Sequence, residues 1–352
     1  MNSFLENIKK LTLLFLLGGI LDLSAQATKL VGNLTNPTDM VADGNVMYFA
    51  DYGTGKISKF KLGIPNPVLT EVSSGFGGPF GMALHGNELY VAEYDSSQIT
   101  KIDISKTNPA KQKVWQAQGI SDLEFVGDTL FAVNFDFNRI EYAVVSQTNP
   151  SFKTYAKLTG PFRLLIKDSL IYANETSQGR ISRINRDTIS PSPKRFGQSF
   201  NNSAGMAELD QVLYIAENSS DLISKIDLTD PSKPKTTVLS NLDGPDVIII
   251  HNKILYISEF DKGQISFLSL DPKASSSELY SEDSYAYPNP CSKALYFKGI
   301  LEPTPVSISS MSGKIVKSKM LHPNEPLDVS RLNPGLYILF CEQRSPLLFK
   351  KL

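Results

Sequence analysis

The chain has 352 residues, which is enough for one large domain or two modest domains with real cores. Its 35 Lys and Arg residues balance 36 Asp and Glu residues, and the formal net charge of -1 argues against a nucleic-acid partner, which normally requires a strongly basic face. Two cysteines are too few for a disulfide scaffold or a thiolate zinc site.

The first 27 residues have the pattern of an export signal. Lys9 and Lys10 supply positive charge ahead of an apolar run, and residues 25–27 are suited to cleavage. The alternative is a membrane anchor, but the run is short for a bilayer and Asp22 interrupts it. We predict a signal peptide over residues 1–27 and a mature protein that is soluble or attached to a surface.

Three kinds of residue recur at steps of 41 or 42 residues through the middle of the chain. The first is an aromatic residue in an apolar segment: Tyr48, Tyr90, Phe131, Tyr172, Tyr214 and Tyr256. The second, nine residues later, is isoleucine: Ile57, Ile99, Ile140, Ile181, Ile223 and Ile265. The third, four residues before the aromatic, is a turn former: Gly44, Gly86, Gly127, Asp168, Asp210 and Asn252. A repeat of this length, with several short strands per copy, is typical of one propeller blade.

Each recurring position has a physical explanation. Gly, Asn and Asp tolerate the positive φ of a two-residue hairpin, while the aromatic and the isoleucine lie in short apolar or alternating segments typical of strands. In the first four copies a proline nineteen residues after the aromatic would break the connection to an outer strand: Pro67, Pro109, Pro150 and Pro191. We therefore predict six four-stranded blades over roughly residues 37–275.

A ring of six blades needs a device that closes it. Residues 28–37 resemble residues 237–245, where an outer strand leads into a blade. We predict that residues 28–34 supply the outer strand of the sixth blade, so that the propeller domain spans residues 28–275. The alternative is that Ser277–Tyr280 fills this position.

The repeat resembles the NHL-repeat propellers and their six-bladed relatives, the gluconolactonase-like family. The match is fullest at Pro79 to Ala83 and at Leu89 to Glu93, and it covers about two thirds of the chain. The resemblance implies an all-β fold with a six-bladed β-propeller. It says little about function, because propellers host many unrelated activities.

A serine-rich acidic linker, residues 276–286, separates the repeats from a C-terminal unit at residues 287–352. This unit has short β-rich runs between Gly, Pro and Asn turns, as in a small antiparallel sandwich. Its most characteristic residues are Tyr287, Pro288, Asn289, Pro290, Gly313, Gly335, Tyr337, Lys350 and Lys351. Both cysteines, Cys291 and Cys341, lie here, either as a disulfide or as two buried thiols.

The C-terminal unit resembles the sorting domain of the type IX secretion system of Bacteroidetes. The resemblance implies passage through the periplasm and across the outer membrane, with the secretion machinery as a partner. It also implies removal of the tail and either release or attachment to surface lipopolysaccharide. We therefore expect a secreted or cell-surface protein.

The innermost strand of each predicted blade is rich in polar residues. Alternation along these strands directs one set of side chains toward the axial channel. At the end of the ring where the strands begin, the candidate ligand-binding residues are Asp39, Phe80, Asp122, Arg163 and Asp246. Six aromatic residues are expected around them: Tyr52, Phe80, Tyr94, Phe135, Phe162 and Phe260. Such a mouth could hold a sugar, a basic peptide or a divalent cation such as calcium. The alternative is that Arg163 pairs with Asp122 or Glu124 as structural glue.

Two further sets of residues are candidate metal ligands by their chemistry. Asp43, His85 and His251 hold the same position at the opposite end of three neighbouring blades and are weak candidates for metal ligands. An acid or, in the third copy, an amide recurs three residues after each aromatic: Asp51, Glu93, Asn134, Glu175, Glu217 and Glu259. A repeated structural role for these groups, such as accepting N–H groups of the following turn, is favoured over a cation site.

The sequence therefore predicts an exported six-bladed binding or scaffold protein, whose ligand is an unidentified protein, peptide or carbohydrate. No catalytic residue is identified. The alternative is a metal-dependent, lactonase-like hydrolase that uses the acidic mouth, although Pro161-Phe162-Arg163 stands where that family's asparagine segment would fall. A channel with Arg163 locked to a carboxylate would count against this alternative.

Overall fold

A computed structural model describes residues 27–63, 67–188, 191–270, 286–297, 303–310, 314–323, 325–341 and 347–352. Within these ranges the regular secondary structure is almost entirely β-strand, with two short 3-10 turns at Thr176–Gln178 and Asn218–Ser220. No helix there has the length and apolar character needed to cross a membrane. Apart from Ala27 and Ala286, the predicted signal peptide and linker lie outside the described residues, as do Gly313 and the alternative closing segment Ser277–Tyr280.

Residues 28–269 form six four-stranded antiparallel sheets. The chain begins with β1 (Thr28–Val31). The first three sheets comprise β2 (Pro37–Asp43), β3 (Val46–Asp51), β4 (Lys56–Lys61) and β5 (Thr70–Ser74); β6 (Pro79–His85), β7 (Glu88–Glu93), β8 (Gln98–Asp103) and β9 (Gln112–Gln116); β10 (Ile120–Val126), β11 (Thr129–Asn134), β12 (Arg139–Val144) and β13 (Lys153–Lys157).

The next three sheets repeat the same up-and-down order. They comprise β14 (Pro161–Lys167), β15 (Leu170–Glu175), β16 (Arg180–Asn185) and β17 (Lys194–Phe196); β18 (Ser203–Leu209), β19 (Val212–Glu217), β20 (Leu222–Asp227) and β21 (Thr236–Leu239); β22 (Pro245–His251), β23 (Ile254–Glu259) and β24 (Gln264–Ser269), with β1. The inner strand of each sheet contacts that of the next sheet, and β22 of the sixth contacts β2 of the first. The sheets are therefore the blades of a closed six-bladed propeller.

The N-terminal strand closes the ring. β1 pairs antiparallel with β24 in the outer position of the sixth blade, which runs β1–β24–β23–β22. Just beyond β1, the Leu34 N–H donates to the Gly263 carbonyl at 2.9 Å, and the Asn36 side chain donates to the Phe260 carbonyl at 3.2 Å. Chain segments more than 200 residues apart are thus joined by backbone pairing.

The repeated residues occupy equivalent places in every blade. The aromatic is the third residue of the second strand and is buried, and the isoleucine on the third strand has no exposed surface. All six turn formers adopt a positive φ, between 49° and 59°, which is the conformation that the hairpin requires. The outer strand begins three residues after each of the four repeated prolines. The all-β, six-bladed prediction is confirmed.

The C-terminal domain contains two antiparallel sheets. One is formed by β25 (Ala286–Tyr287), β26 (Ala294–Phe297) and β29 (Leu327–Asp328), and the other by β27 (Thr304–Ser310), β28 (Ile315–Leu321), β30 (Gly335–Cys341) and β31 (Leu347–Lys351). The core between them includes Leu295, Ile308, Leu339 and Phe349. Cys291 and Cys341 both lie in this core, and no disulfide joins them.

The sorting-motif residues that the structure describes lie at the start of the C-terminal domain and on its last two strands. Tyr287 stacks on Tyr296 at 6.0 Å and Tyr337 on Phe349 at 5.8 Å, measured between ring centroids. The Asn289 side chain donates to the Leu348 carbonyl at 2.9 Å and accepts from the Lys350 N–H at 3.0 Å. Pro288 and Pro290 flank Asn289, Gly335 opens β30, and Lys350 and Lys351 end β31. The motif thus ties the start of the domain to its last strand.

Candidate functional site at the propeller axis

The two ends of the ring differ in chemistry. We call the end at which the inner strands β2, β6, β10, β14, β18 and β22 begin the top face, and the end with the two-residue hairpins the bottom face. Residues at the second and third positions of an inner strand lie at the top of the axial channel. In chain order, the third position is held by Asp39, Gly81, Asp122, Arg163, Gly205 and Val247.

Arg163 of the fourth blade reaches across the axis. Its side chain is only 3% exposed, and Nη1 lies 3.3 Å from Oδ1 of Asp122 and 3.7 Å from Oδ2 of Asp39. Nη2 lies 3.5 Å from Oδ2 of Asp246 and donates to the Thr38 carbonyl at 2.6 Å. Because the first and fourth blades are opposite each other in a ring of six, a contact between them places the guanidinium at the axis. One side chain therefore links blades one, three, four and six.

The carboxylates around Arg163 are also held by backbone groups. Oδ1 of Asp39 accepts the Met40 N–H at 2.8 Å, and its Oδ2 accepts the Met82 N–H at 2.5 Å. Oδ2 of Asp122 accepts the Leu164 N–H at 2.7 Å. Met82 and Leu164 belong to the following blades, so each carboxylate joins two neighbouring inner strands. Charge-assisted hydrogen bonds of this kind leave few lone pairs for another ligand.

Burial controls the protonation of the cluster. It raises the pKa of Asp39 to about 7 and that of Asp246 to about 6, in spite of the opposing charge of Arg163, and it also raises the pKa of Asp122. Burial opposes ionisation of Arg163, but the three carboxylates outweigh it and raise the arginine pKa. Burial, with the charges of Asp122 and Asp39, raises the pKa of Glu124 to about 8. Arg163 is thus a permanent cation among acids whose pKa values are all raised by burial.

Aromatic rings cover the guanidinium on its top side. The Arg163 Cζ lies 5.1 Å from the centroid of the Phe80 ring and 5.4 Å from that of Phe162, and these two rings are 5.6 Å apart. The distances allow cation–π attraction to both rings. Phe80 also contacts Tyr52 at 6.0 Å and Tyr94 at 5.9 Å. We call this connected group, completed by Phe135 against Phe162, the aromatic platform: Tyr52, Phe80, Tyr94, Phe135 and Phe162.

Exposed carboxylates border the aromatic platform. The Tyr52 hydroxyl donates to Asp95 at 2.7 Å, and the Tyr94 hydroxyl donates to Asp136 at 2.9 Å. Blades four and five carry Thr176 and Asn218 at the places of these aromatics. The top face therefore has an aromatic, acidic sector and an amide- and hydroxyl-bearing sector. Phe260 holds the equivalent position in blade six, and no ring contact joins it to the platform within the described residues.

The structure brings the predicted mouth residues together, but it buries four of them. Asp39, Asp122, Arg163 and Asp246 form one ion cluster, whereas Phe80 lies above it and is partly exposed. The pairing of Arg163 with Asp122 is the structural arrangement that the sequence left open. Asp39 and Asp246 are further partners, and Glu124 is not among the arginine's ion pairs.

Sequence reasoning missed Asn174, which orients the arginine strand. Its Oδ1 accepts the Arg163 N–H at 2.6 Å, and its Nδ2 donates to the carbonyls of Ser203, at 2.9 Å, and Ala204. The sequence does distinguish Asn174, because it stands two residues after the repeated aromatic, at a position where no other copy has an amide. The other copies have Ala50, Ala92, Val133, Ala216 and Ser258 there.

The structure does not gather the three bottom-face candidates into one site. His85 Nε2 lies 3.0 Å from Oδ1 of Asp128, and its ring contacts the Phe125 ring in a tilted arrangement with the centroids 4.8 Å apart. His251 Nε2 is buried without a hydrogen-bond partner, and no described contact links it to Asp43 or His85. Within the described ranges, no group of three or more His, Cys, Asp or Glu residues is arranged to hold a metal ion.

The recurring acids after the aromatics have a structural role. Five of them accept a backbone N–H sixteen residues earlier, at 2.7 to 3.2 Å: Asp51, Glu93, Glu175, Glu217 and Glu259. The sixth, Asn134, accepts the Phe137 N–H at 3.0 Å. The prediction that these groups bind the following turn is right for Asn134 and for Asp51, whose carboxylate also accepts from Thr54. It is wrong for the four glutamates. All five acids hold the loop before the inner strand of their own blade.

Comparison with known proteins identifies the C-terminal domain. Residues 285–352 match the family described as a secretion system C-terminal sorting domain. Such a domain implies export by type IX secretion to the cell surface or the extracellular space, and interaction with that machinery. No curated protein matches the chain.

Many solved structures share the propeller fold. A gluconolactonase from Xanthomonas campestris superposes with a TM-score of 0.58 at 10% identity, covering 70% of this chain and 89% of the other. A protein of unknown function from Bacteroides thetaiotaomicron gives 0.53 at 14% identity, covering 69% and 72%. An aldose sugar dehydrogenase from Streptomyces coelicolor gives 0.54 at 13% identity, covering 69% and 96%. At these identities the likeness is one of fold.

Proposed function

We propose that this protein is an exported binding protein whose ligand contacts the aromatic platform on the top face, and that it is not a metal-dependent hydrolase. The observation that carries the proposal is the position of Arg163. Its guanidinium occupies the axis, where converging acids would otherwise face one another. The top of the channel is thus filled by a protein cation.

Replacing Arg163 by a divalent cation would be costly. A hard cation such as Ca²⁺ takes six to eight oxygen ligands. The carboxylate oxygens of Asp39 and Asp122 instead accept hydrogen bonds from backbone N–H groups, and both carboxylates pair with the guanidinium. Moving a divalent ion next to Arg163 would add like-charge repulsion inside a buried site. Lactonase-like chemistry therefore has no support at this mouth, although one similar structure is a gluconolactonase.

The aromatic platform is the surface left for a ligand. Its five rings are partly exposed, and the carboxylates of Asp95 and Asp136 beside them are exposed hydrogen-bond acceptors. Rings combined with acceptors suit a carbohydrate, whose C–H face packs on the rings while its hydroxyl groups donate to the carboxylates. A basic peptide is the other class with matching chemistry, because Lys and Arg side chains attract both carboxylates and ring faces.

Export by the sorting domain would bring this surface to the cell exterior. There the platform would be available to extracellular glycans or peptides while the tail engages the secretion machinery. Attachment to surface lipopolysaccharide after tail removal would display the top face, and release would make the protein a soluble binder.

Glycan and basic-peptide arrays probed with the full chain test this proposal. Hits on glycans identify a carbohydrate ligand, and hits on peptides alone assign the peptide class. The variant Tyr94→Ala removes one platform ring, and Tyr296→Ala, an aromatic 47% exposed in the sorting domain, is the matched control. We expect Tyr94→Ala to weaken binding about tenfold and Tyr296→Ala to leave it unchanged. Equal binding by both variants, or metal-dependent lactone hydrolysis by the wild-type protein, would overturn the proposal.

A further inference from the structure

Below the Arg163 cluster the axial channel widens into a cavity of about 350 Å³. This volume falls in the range of small-molecule sites. The walls are mostly apolar and come from inner strands of all six blades, with Val41, Met82, Leu165, Met206 and Ile249 among the lining residues. The cavity is thus separated from the aromatic platform by the ion cluster.

The cavity opens toward the bottom face. Side-chain exposure rises from 3% at Arg163, through 15% at Glu208, to 26% at Lys167. Glu208 and Lys167 lie at the sixth and seventh positions of their strands and pair with each other. A ligand would therefore enter past this neutral ion pair.

Two polar groups in the cavity wall have no partner among the residues that the structure describes. Glu124 is partly buried in the cavity wall, and no hydrogen bond or ion pair joins its carboxylate to another described residue. Nε of Arg163, in the same wall, is buried and has no acceptor. Buried polar groups in folded proteins are almost always hydrogen-bonded, so the Arg163 Nε indicates that an acceptor meets it from the cavity. The Glu124 carboxylate is a second polar group that a ligand in the cavity can reach.

The charges around the cavity favour a cation. Asp39, Asp122 and Glu124 face it with Arg163 as their counter-ion, and Glu208 is already neutralised by Lys167. Acids therefore outnumber bases among these groups. Once Glu124 is ionised, an anion would be repelled, and a neutral apolar molecule would leave its carboxylate unpaired.

We propose that this axial cavity binds a compact organic amine, which enters from the bottom face and places its ammonium group on the Glu124 carboxylate. The apolar body of the amine packs against the surrounding methionine, leucine, valine and isoleucine side chains. An oxygen on the ligand, or a water molecule bound with it, accepts from Nε of Arg163. The site is independent of the aromatic platform, so either can exist without the other.

Binding at this site releases a proton. The Glu124 pKa of about 8 means that its carboxyl is mostly protonated at pH 7, and it must ionise to pair with an ammonium group. Asp39, Asp122, Arg163 and the Glu208–Lys167 pair are the charged groups that face it. Affinity for an amine is therefore expected to be about tenfold tighter at pH 9 than at pH 7.

Three probes of equal size test the proposal: n-butylamine, n-butanol and n-butyrate. Calorimetric titration of the full chain should show binding of butylamine, at least about tenfold weaker binding of the other two, and uptake of the released proton by the buffer. Glu124→Gln, which keeps the shape, should lose the butylamine signal and its pH dependence. Glu88→Gln, at a carboxylate paired with Lys101 on another strand and 39% exposed, should bind like the wild type.

Three results would overturn the proposal. These are butyrate binding as tightly as butylamine, Glu124→Gln binding butylamine like the wild type, and absence of binding by every probe. None of these results affects the proposal that a ligand binds the aromatic platform, because that proposal rests on array binding that depends on Tyr94. Conversely, loss of array binding in Tyr94→Ala leaves the butylamine test unaffected.

Discussion

Arg163 and its acids show how one substitution in a repeated position changes the chemistry of a fold. The third position of the inner strand is glycine in blades two and five, aspartate in blades one and three, and arginine in blade four. The arginine side chain is long enough to cross the axis and meet carboxylates of three other blades. Breaking a buried ion network by removing one partner leaves uncompensated charge, which is far more costly than losing an exposed pair.

Replacing Arg163 by methionine should destabilise the protein. We expect the free energy of unfolding to fall by about 3–5 kcal/mol at pH 8, because the acids around it lose their counter-ion. At pH 5 the loss should be smaller, since acids whose pKa is already raised accept protons instead. Urea unfolding at the two pH values measures the difference, with Arg186→Met as the control, because the partner of Arg186, Asp187, is 64% exposed. A loss below about 1 kcal/mol at pH 8 would contradict the buried network.

The acids of the channel should make stability fall as pH rises. Asp39, Asp246 and Glu124 have folded-state pKa values of about 7, 6 and 8, above their ordinary values of 3.8, 3.8 and 4.5. At pH values between the ordinary and the folded-state pKa of each acid, the folded state binds more protons than the unfolded state. The free energy of unfolding therefore falls as the pH rises from about 4 toward 8.

Glu124→Gln isolates one of these contributions. The variant should show a flatter fall in the free energy of unfolding between pH 5 and pH 8 than the wild type, because glutamine does not titrate. Denaturant midpoints at several pH values in this window provide the measurement, and Glu88→Gln serves as the control. Parallel curves for wild type and Glu124→Gln would show that Glu124 titrates normally.

At the scale of elements, the inner strands pack closely enough that two of them need glycine. A Cβ on Gly205 would lie 2.5 Å from the Asp246 carbonyl oxygen and 2.6 Å from the Ile248 nitrogen, both on the neighbouring inner strand. Gly81 is placed similarly, with a Cβ position 2.6 Å from Cα of Asp122. These glycines let adjacent blades approach near the Arg163 cluster.

Gly205→Ala should therefore push blades five and six apart. We expect a loss of about 2–3 kcal/mol in the free energy of unfolding, because the clash is with backbone atoms that cannot rotate away. Gly86→Ala is the comparison: its φ is 59° and a Cβ there meets nothing within 4 Å, so only the backbone penalty of about 1 kcal/mol applies. Thermal unfolding ranks the two variants, and a smaller loss for Gly205→Ala would contradict the packing described.

The repeated elements were predictable from the sequence because each is fixed by local chemistry. Hairpin turns require residues that tolerate positive φ, and the aromatic and isoleucine positions report burial in a period that six copies make visible. The ion cluster was predictable only in part. The spacing of Asp39, Asp122 and Arg163 indicated that they lie at the same height along the ring axis. Whether Arg163 would span the axis depends on the radius of the closed ring. The loop contacts of Glu93 and its counterparts likewise depend on tertiary packing.

At the scale of the whole molecule, the propeller depends on closure by its first strand. β1 supplies the outer strand of the sixth blade, and without it the edge of β24 would be exposed. Open edges of sheets invite pairing with other chains. Closure also holds blades one and six together, and Asp39 and Asp246 from these blades both contact Arg163.

Deletion of residues 28–31 should loosen the ring. We expect a lower thermal midpoint and a tendency to aggregate, because strand pairing and the burial of Val31 are lost together. Differential scanning calorimetry with light scattering measures both effects. The substitution Lys29→Ala, at an exposed residue of the same strand, keeps the backbone pairing and is the control. An unchanged midpoint in the deletion would contradict closure by β1.

The central claim is that a protein cation, rather than a metal ion, occupies the axis of this exported propeller. Titration of the wild-type full chain with Ca²⁺ at pH 8, beside the variant Asp122→Asn, tests it most directly. The account predicts no calorimetric binding that depends on Asp122. Stoichiometric Ca²⁺ binding that Asp122→Asn abolishes would contradict it and would restore the metal-dependent hydrolase as the leading interpretation.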